Sequence, residues 1–113
     1  MQIAERSAGN VKVLDLSGPI TLMKGDGQLL KDKINSLVHQ GQKNILVNLA
    51  DVTAMDSTGL GELVGAYTTV TKAGGSMKLV NLTKRLQDLL SITKLLTVFD
   101  TFDSEQAALQ SFS

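Results

Sequence analysis

The residues in this chain best suited to chemistry stand together as Asp56-Ser57-Thr58-Gly59-Leu60-Gly61. Two hydroxyls follow a carboxylate. Apolar residues then recur at Leu60, Leu63, Val64, Tyr67 and Val70, the spacing of three and four that makes one face of an amphipathic helix. Asp56 or Ser57 is the natural N-cap, because a short side-chain oxygen there accepts from the free backbone N–H groups of the first turn. A helix N-terminus also favours negative charge and can hold a phosphate, so a hydroxyl at its tip is well placed for one. From spacing alone the ordinary reading is a cap. Two features weigh against a cap and nothing more. Three consecutive capping residues exceed what one helix needs, and Gly59 and Gly61 each cost about 1 kcal/mol of helix propensity relative to alanine. A glycine kept at a cost marks close approach by another group. The structural alternative is that Gly61 and Gly65, four apart, let the helix pack closely on a sheet.

Other chemistry is harder to assemble. The aspartic-protease pattern Asp-Ser/Thr-Gly is broken by Thr58, and no second copy exists. A Ser-His-Asp triad would have to use His39, the only histidine, which falls late in a surface helix just before Gly41. Gly25-Asp26-Gly27 after Lys24 lacks the Gly-Lys-Ser/Thr ending of a phosphate loop, and Gly74-Gly75 is a turn rather than a dinucleotide fingerprint. Lys84-Arg85 reads as a pair of solvated cations. No catalytic set emerges, so the expectation is a binding protein rather than an enzyme, with no metal. A small hydrolase using Ser57 is a distant rival, for want of a base beside that serine.

The elements that position Ser57 can be read outward from it. Ile45-Leu46-Val47, continued by Leu49, suits a strand buried on both faces, with a polar turn before Asp56. Gln2 to Ser7 and Val11 to Ser17 form a hairpin about Gly9-Asn10, and Gly18-Pro19 is expected to stop its second strand. Ile20 to Gly27 is a loop or irregular helix start. The helix from Gln28 to His39 buries Leu30, Ile34, Leu37 and Val38, with Leu29 flanking. After the Ser57 helix, Gly74-Gly75 leads to a strand from Met77 to Leu82, and Thr83 caps a helix with Leu86, Leu89 and Leu90, with Leu95 beyond it. A brief strand at Val98 to Phe102 follows. Asp103, with Gln106 three residues on, opens a last helix that partly buries Ala107, Leu109 and Phe112. The order β-β-α-β-α-β-α-β-α implies crossovers, hence an α/β fold with a mixed, largely parallel sheet of about five strands and about four helices. In such sheets partners meet the loops at the carboxyl ends of strands, where Ser57 lies.

At 113 residues, 42% hydrophobic and 19% charged, the chain reads as one globular domain, 1–113. Eleven basic and eleven acidic side chains balance, so no surplus points to nucleic acid. The absence of cysteine excludes disulfides and thiolate-held zinc. No apolar run spans a membrane and MQIAERSAGN lacks a signal-peptide core, so a soluble cytoplasmic protein is expected, monomeric or weakly dimeric.

Met55-Asp56-Ser57-Thr58-Gly59-Leu60-Gly61, following Val47-Asn48-Leu49, closely resembles the phosphorylation-site signature of bacterial anti-sigma factor antagonists of the STAS domain family. The similarity covers nearly the whole chain, including Ser17-Gly18, Gly74-Gly75 and the closing Phe102 to Leu109 stretch. The resemblance implies that Ser57, with Thr58 the secondary candidate, is phosphorylated by a partner that is both anti-sigma factor and serine kinase. The unmodified form would bind that partner and free the sigma factor, the phosphorylated form would let go, and a phosphatase would reset it. Asp56 would help shape the loop or assist phosphotransfer. The nucleotide would belong to the kinase, so the resemblance implies no cofactor for this chain. The partner-binding surface would comprise Thr21, Met23 and Lys24 in the early loop with Asp56, Ser57, Thr58, Gly59, Leu60, Gly61 and Glu62. Where the family often reads Gly-x-Leu/Ile-Asp after the early Ser-Gly, this chain reads Gly18-Pro19-Ile20-Thr21, so Thr21 replaces the acid. That replacement is compatible with the alternative, a STAS interaction subunit of a transport or sensory complex that is not phosphorylated.

Overall fold

The computed structural model describes residues 1–21 and 26–112. Its strands are β1 (Gln2–Ala8), β2 (Val11–Ile20), β3 (Asn44–Met55), β4 (Ser76–Val80) and β5 (Asp100–Phe102), in one sheet ordered β1-β2-β3-β4-β5. The hairpin β1–β2 is antiparallel and every other pair is parallel. Helices α1 (Asp26–His39), α2 (Ser57–Lys72), α3 (Lys84–Ile92) and α4 (Glu105–Gln110) are the crossovers and the C-terminal element. The mixed α/β sheet and the element order expected from the sequence are therefore present.

Alternation along the strands decides the two faces. Leu14, Leu16, Ile45, Val47, Leu49, Met77 and Leu79 point to the side covered by α1, α2 and α3, where they form the main core with Leu30, Ile34, Leu37, Leu63 and Val70. Val11, Val13, Leu46 and Val80 point the other way, where α4 contributes the fully buried Ala108. On this second face Arg6 donates to both carboxylate oxygens of Asp15, at 2.6 and 2.9 Å, and to Glu105 of α4 at 2.6 Å. Asn48 donates to Asp15 at 2.8 Å, extending the ion pairs into β3.

Several boundaries differ from expectation. β2 does not stop at Gly18-Pro19 but runs to Ile20. Pairing with β1 ends at Gln2 and Ser17, so Pro19 sits where only β3 flanks the strand, and such half-edge positions accept a proline. The register to β3 shifts twice here, between Asp15 and Ser17 and between Gly18 and Pro19, and Gly18 takes φ +84°. β3 likewise continues past Leu49 through the expected polar turn to Met55, since β2 runs beside it to the pair Ile20–Met55. β4 ends at Val80, because Asn81 turns to φ 60°. α1 begins at Asp26, earlier than expected. Ser104, not Asp103, caps α4, its hydroxyl accepting from the Ala107 amide at 3.1 Å. That shift by one residue turns Ala108 inward and leaves Ala107 exposed.

Candidate functional site

The site is built where two long parallel strands end together. Ile20 and Met55 are register partners at the carboxyl ends of β2 and β3, and α2 starts two residues after Met55. The Ile20 carbonyl accepts from the Asp56 amide at 3.4 Å, which ties the end of β2 to the start of α2. It also fills the space beside Gly59: a Cβ there would lie 2.3 Å from the Ile20 carbonyl oxygen and 3.0 Å from Met55 Cγ. Glycine at 59 is therefore required by the fold, through the close approach the sequence suggested. Gly61 and Gly65 are not the helix-to-sheet packing positions that spacing allowed. Both are exposed, and a Cβ on either meets nothing within 4 Å. The helix turns Gly59 inward with Leu60, Leu63 and Ala66, and turns Gly61 and Gly65 out.

The cap belongs to Asp56. Its backbone is extended (φ −99°, ψ −175°) and its Oδ1 accepts from the Gly59 amide at 2.9 Å. Ser57 is thus the first helical residue rather than the cap. Its side chain is exposed and makes no hydrogen bond to a described residue. Thr58 is half-buried, so the two neighbouring hydroxyls differ in exposure. Beyond the Asp56 cap the first turn of α2 carries no acidic residue, so the positive end of the helix meets solvent at Ser57.

Of the expected surface, Thr21 follows Ile20 directly and is half-buried at the same end of the sheet as Asp56, Ser57, Thr58 and Gly59. Leu60 faces the core at 6% exposure, so it holds the helix down rather than meeting a partner. Gly61 and Glu62 continue up the helix, exposed and half-buried. Met23 and Lys24 lie outside the described residues. His39 is exposed in the last turn of α1, as the sequence suggested. Among the described residues no group of three or more His, Cys, Asp or Glu side chains could hold a metal ion, and no helix is long and apolar enough to cross a membrane.

One feature beside the site escapes sequence reading. Along the seam of α1 and α2 runs a groove of about 190 Å³ lined by Lys31, Ile34, Glu62, Gly65, Ala66 and Thr69. Lys31 and Ile34 come from another helix, and nothing in the chain order says that they will meet Glu62. The available signal was Gly65, two helical turns beyond Ser57.

Comparison with known proteins is consistent with this geometry. The model of the STAS domain family matches residues 2–108. The chain is 42% identical over 82 residues, 73% of this chain and 74% of the relative, to the anti-sigma-B factor antagonist of Bacillus subtilis. Its fold is similar to that of an anti-sigma factor antagonist from Mycobacterium paratuberculosis, with a TM-score of 0.85 at 20% identity over 98% of this chain and 92% of that one. It is also similar to the Bacillus cell fate determinant SpoIIAA in its phosphorylated form, with a TM-score of 0.76 at 18% identity over 99% of this chain and all of that one.

Proposed function

This chain belongs to the STAS domain family, and on that basis we propose that it is an anti-sigma factor antagonist switched by phosphorylation of Ser57. In the unmodified state it binds an anti-sigma factor that is also a serine kinase, and the sigma factor is freed. Phosphate on Ser57 releases the partner, and a phosphatase restores the binding form. The chain acts as substrate and ligand, in the cytoplasm, with no cofactor of its own. The observation that carries this reading is the division of labour at the start of α2: Asp56 supplies the cap, which leaves the exposed Ser57 hydroxyl available to a kinase.

Electrostatics explains how a local change could switch binding. A phosphate adds about −1.5 to −2 charge at pH 7. At the first residue of a sixteen-residue helix this charge suits the helix dipole, so the fold should tolerate it. In a docked surface fitted to a neutral hydroxyl, an uncompensated charge costs about 2–5 kcal/mol. At about 1.4 kcal/mol per tenfold, affinity falls some thirtyfold or more. No rearrangement of the sheet is needed.

Incubation with the partner kinase and ATP, followed by mass spectrometric mapping, tests the assignment. Phosphate is expected on Ser57 and lost in Ser57→Ala; modification confined to Thr58, or none, would count against it. The second reading, a fixed STAS module of a transport or sensory assembly, draws on Thr21 at the position where the family often carries an acid. It predicts an assembly indifferent to Ser57→Asp.

A further inference from the structure

From the pair Asp15–Asn48 to the pair Ile20–Met55, β2 advances five residues and β3 advances seven. The two extra residues of β3 enter at the two register shifts, one between Asn48 and Asp51 and the other at Thr53, between Val52 and Ala54. Leu49, Val52 and Met55 are consequently three apart rather than two, yet all pack on the main core. A ladder without the shifts would set Ile20 against Thr53 and leave the start of α2 about 7 Å beyond the end of β2. With them, the Ile20 carbonyl accepts from the Asp56 amide at 3.4 Å and abuts Gly59, and Ser57 and Thr58 are the two residues between. The second shift falls at Gly18, with φ +84°, followed by Pro19, whose ring fixes φ and removes a donor. A Cβ on Gly18 would make an ordinary contact with Met1, 3.7 Å from its Cα, so a side chain there strains the backbone without a clash.

We infer that Gly18 and Pro19 are positioning residues for the phosphorylation of Ser57, an inference that rests on the phosphorylation reading above. They hold the Ile20 carbonyl where it anchors Asp56 and Gly59, so the kinase meets the Ser57 hydroxyl at one fixed place relative to the end of β2. Both act through Ile20 rather than at the hydroxyl. In the transfer, the bond from Ser57 Oγ to the γ-phosphorus of ATP forms as the bond from that phosphorus to ADP breaks. ADP leaves, and the hydroxyl proton passes to a base of the kinase. Such a reaction depends on how the attacking oxygen is held, and a displacement of about 1 Å can cost about a hundredfold in rate. Bulges beside functional sites serve to re-aim a side chain, and here the side chain re-aimed is the acceptor. The reactivity of Ser57 is thus set partly from a strand remote from it in sequence.

The test measures steady-state phosphorylation of Ser57, by ATP and the kinase that the unmodified protein recovers from source cells, in the unmodified chain, Gly18→Ala and Gly18→Asn. Thermal melts and hydrogen exchange at the Asp56 amide run alongside. Asparagine tolerates positive φ better than alanine does. Gly18→Ala should keep its KM as protein substrate but lose about tenfold or more in kcat, with faster exchange at Asp56, and Gly18→Asn should restore most of the rate. If Gly18→Ala melts below the assay temperature, Pro19→Ala decides, since it returns an N–H and a free φ without added bulk and should slow phosphorylation in the same way. Full-rate phosphorylation of Ser57 in a folded Gly18→Ala would overturn the positioning role and leave the switch standing. So would a slowed Gly18→Ala with exchange at Asp56 unchanged, or a Gly18→Asn as slow as Gly18→Ala, because the Ile20 carbonyl would then not be the link. No captured kinase, or no phosphate on Ser57 of the unmodified protein, would instead overturn the switch itself and the positioning role with it.

Discussion

At the scale of single residues, three neighbours at the start of α2 do separable jobs, and substitution should separate them. Asp56→Ala removes the cap and should lower stability by about 0.5–2 kcal/mol in urea unfolding, whereas Ser57→Ala should leave it nearly unchanged. The glycines should diverge in sign. Gly59→Ala drives a Cβ to 2.3 Å from the Ile20 carbonyl and should cost about 1–3 kcal/mol. Gly61→Ala meets open space on the helix surface and should gain about 0.4–1 kcal/mol. Equal effects at the two positions would contradict the close approach at residue 59. The Asp56 cap was one of two candidates legible in the sequence, because N-caps are local. Which glycine was indispensable was not legible: spacing along one helix says nothing about a carbonyl arriving from another strand, and Gly59, Gly61 and Gly65 were all open as close-approach positions.

At the scale of elements, the site depends on β2 reaching Ile20. A proline in a strand ordinarily marks its end, and the sequence offered no sign that pairing with β1 would end at Gln2 and Ser17 and leave Pro19 flanked only by β3. The same extension carried β3 to Met55, placing Ser57 at the tip of a projecting strand pair. The second face of the sheet relies on a shorter element. α4 has only six residues and is held by Ala108 and by the Arg6–Glu105 pair, whose arginine is 45% exposed. Surface ion pairs are individually weak, so Arg6→Ala should cost only about 1 kcal/mol globally. It should nevertheless speed amide exchange in Glu105–Gln110, because a helix this short has little propensity of its own. Exchange in α2 should be unaffected. Periodicity found α4 but placed its start one residue early, since Asp103 and Ser104 are both good caps.

At the scale of the whole molecule, acid titration reports the ion pairs that join β1 to its neighbours. Hydrogen bonds from Arg6, then from Asn48, hold Asp15 below the usual carboxylate range despite partial burial, and Lys33 and Lys12 do the same for Glu5. Depressed folded-state values mean that the unfolded chain binds protons more readily. The stabilisation is therefore complete above the ordinary carboxylate pKa of about 4 and is lost as pH falls through the lower folded values. The urea midpoint should be flat from neutral pH to about 5 and then drop, and Arg6→Ala should shallow the drop by freeing Asp15. The proposed phosphorylation would add its negative charge at one exposed point, the Ser57 start of α2. The α/β architecture was readable from the order of apolar runs. The groove between α1 and α2 was not, since it exists only once two helices remote in sequence are laid side by side.

Parallel capture from source-cell lysate by the unmodified protein and by Ser57→Asp, with bound proteins identified by mass spectrometry, tests the phosphorylation switch most directly. The switch predicts an ATP-binding anti-sigma factor kinase on the unmodified protein and its loss on Ser57→Asp, with both forms melting alike. The same partners retained by both forms would contradict it, leaving the Asp-Ser-Thr start of α2 as a helix cap in a constitutive scaffold.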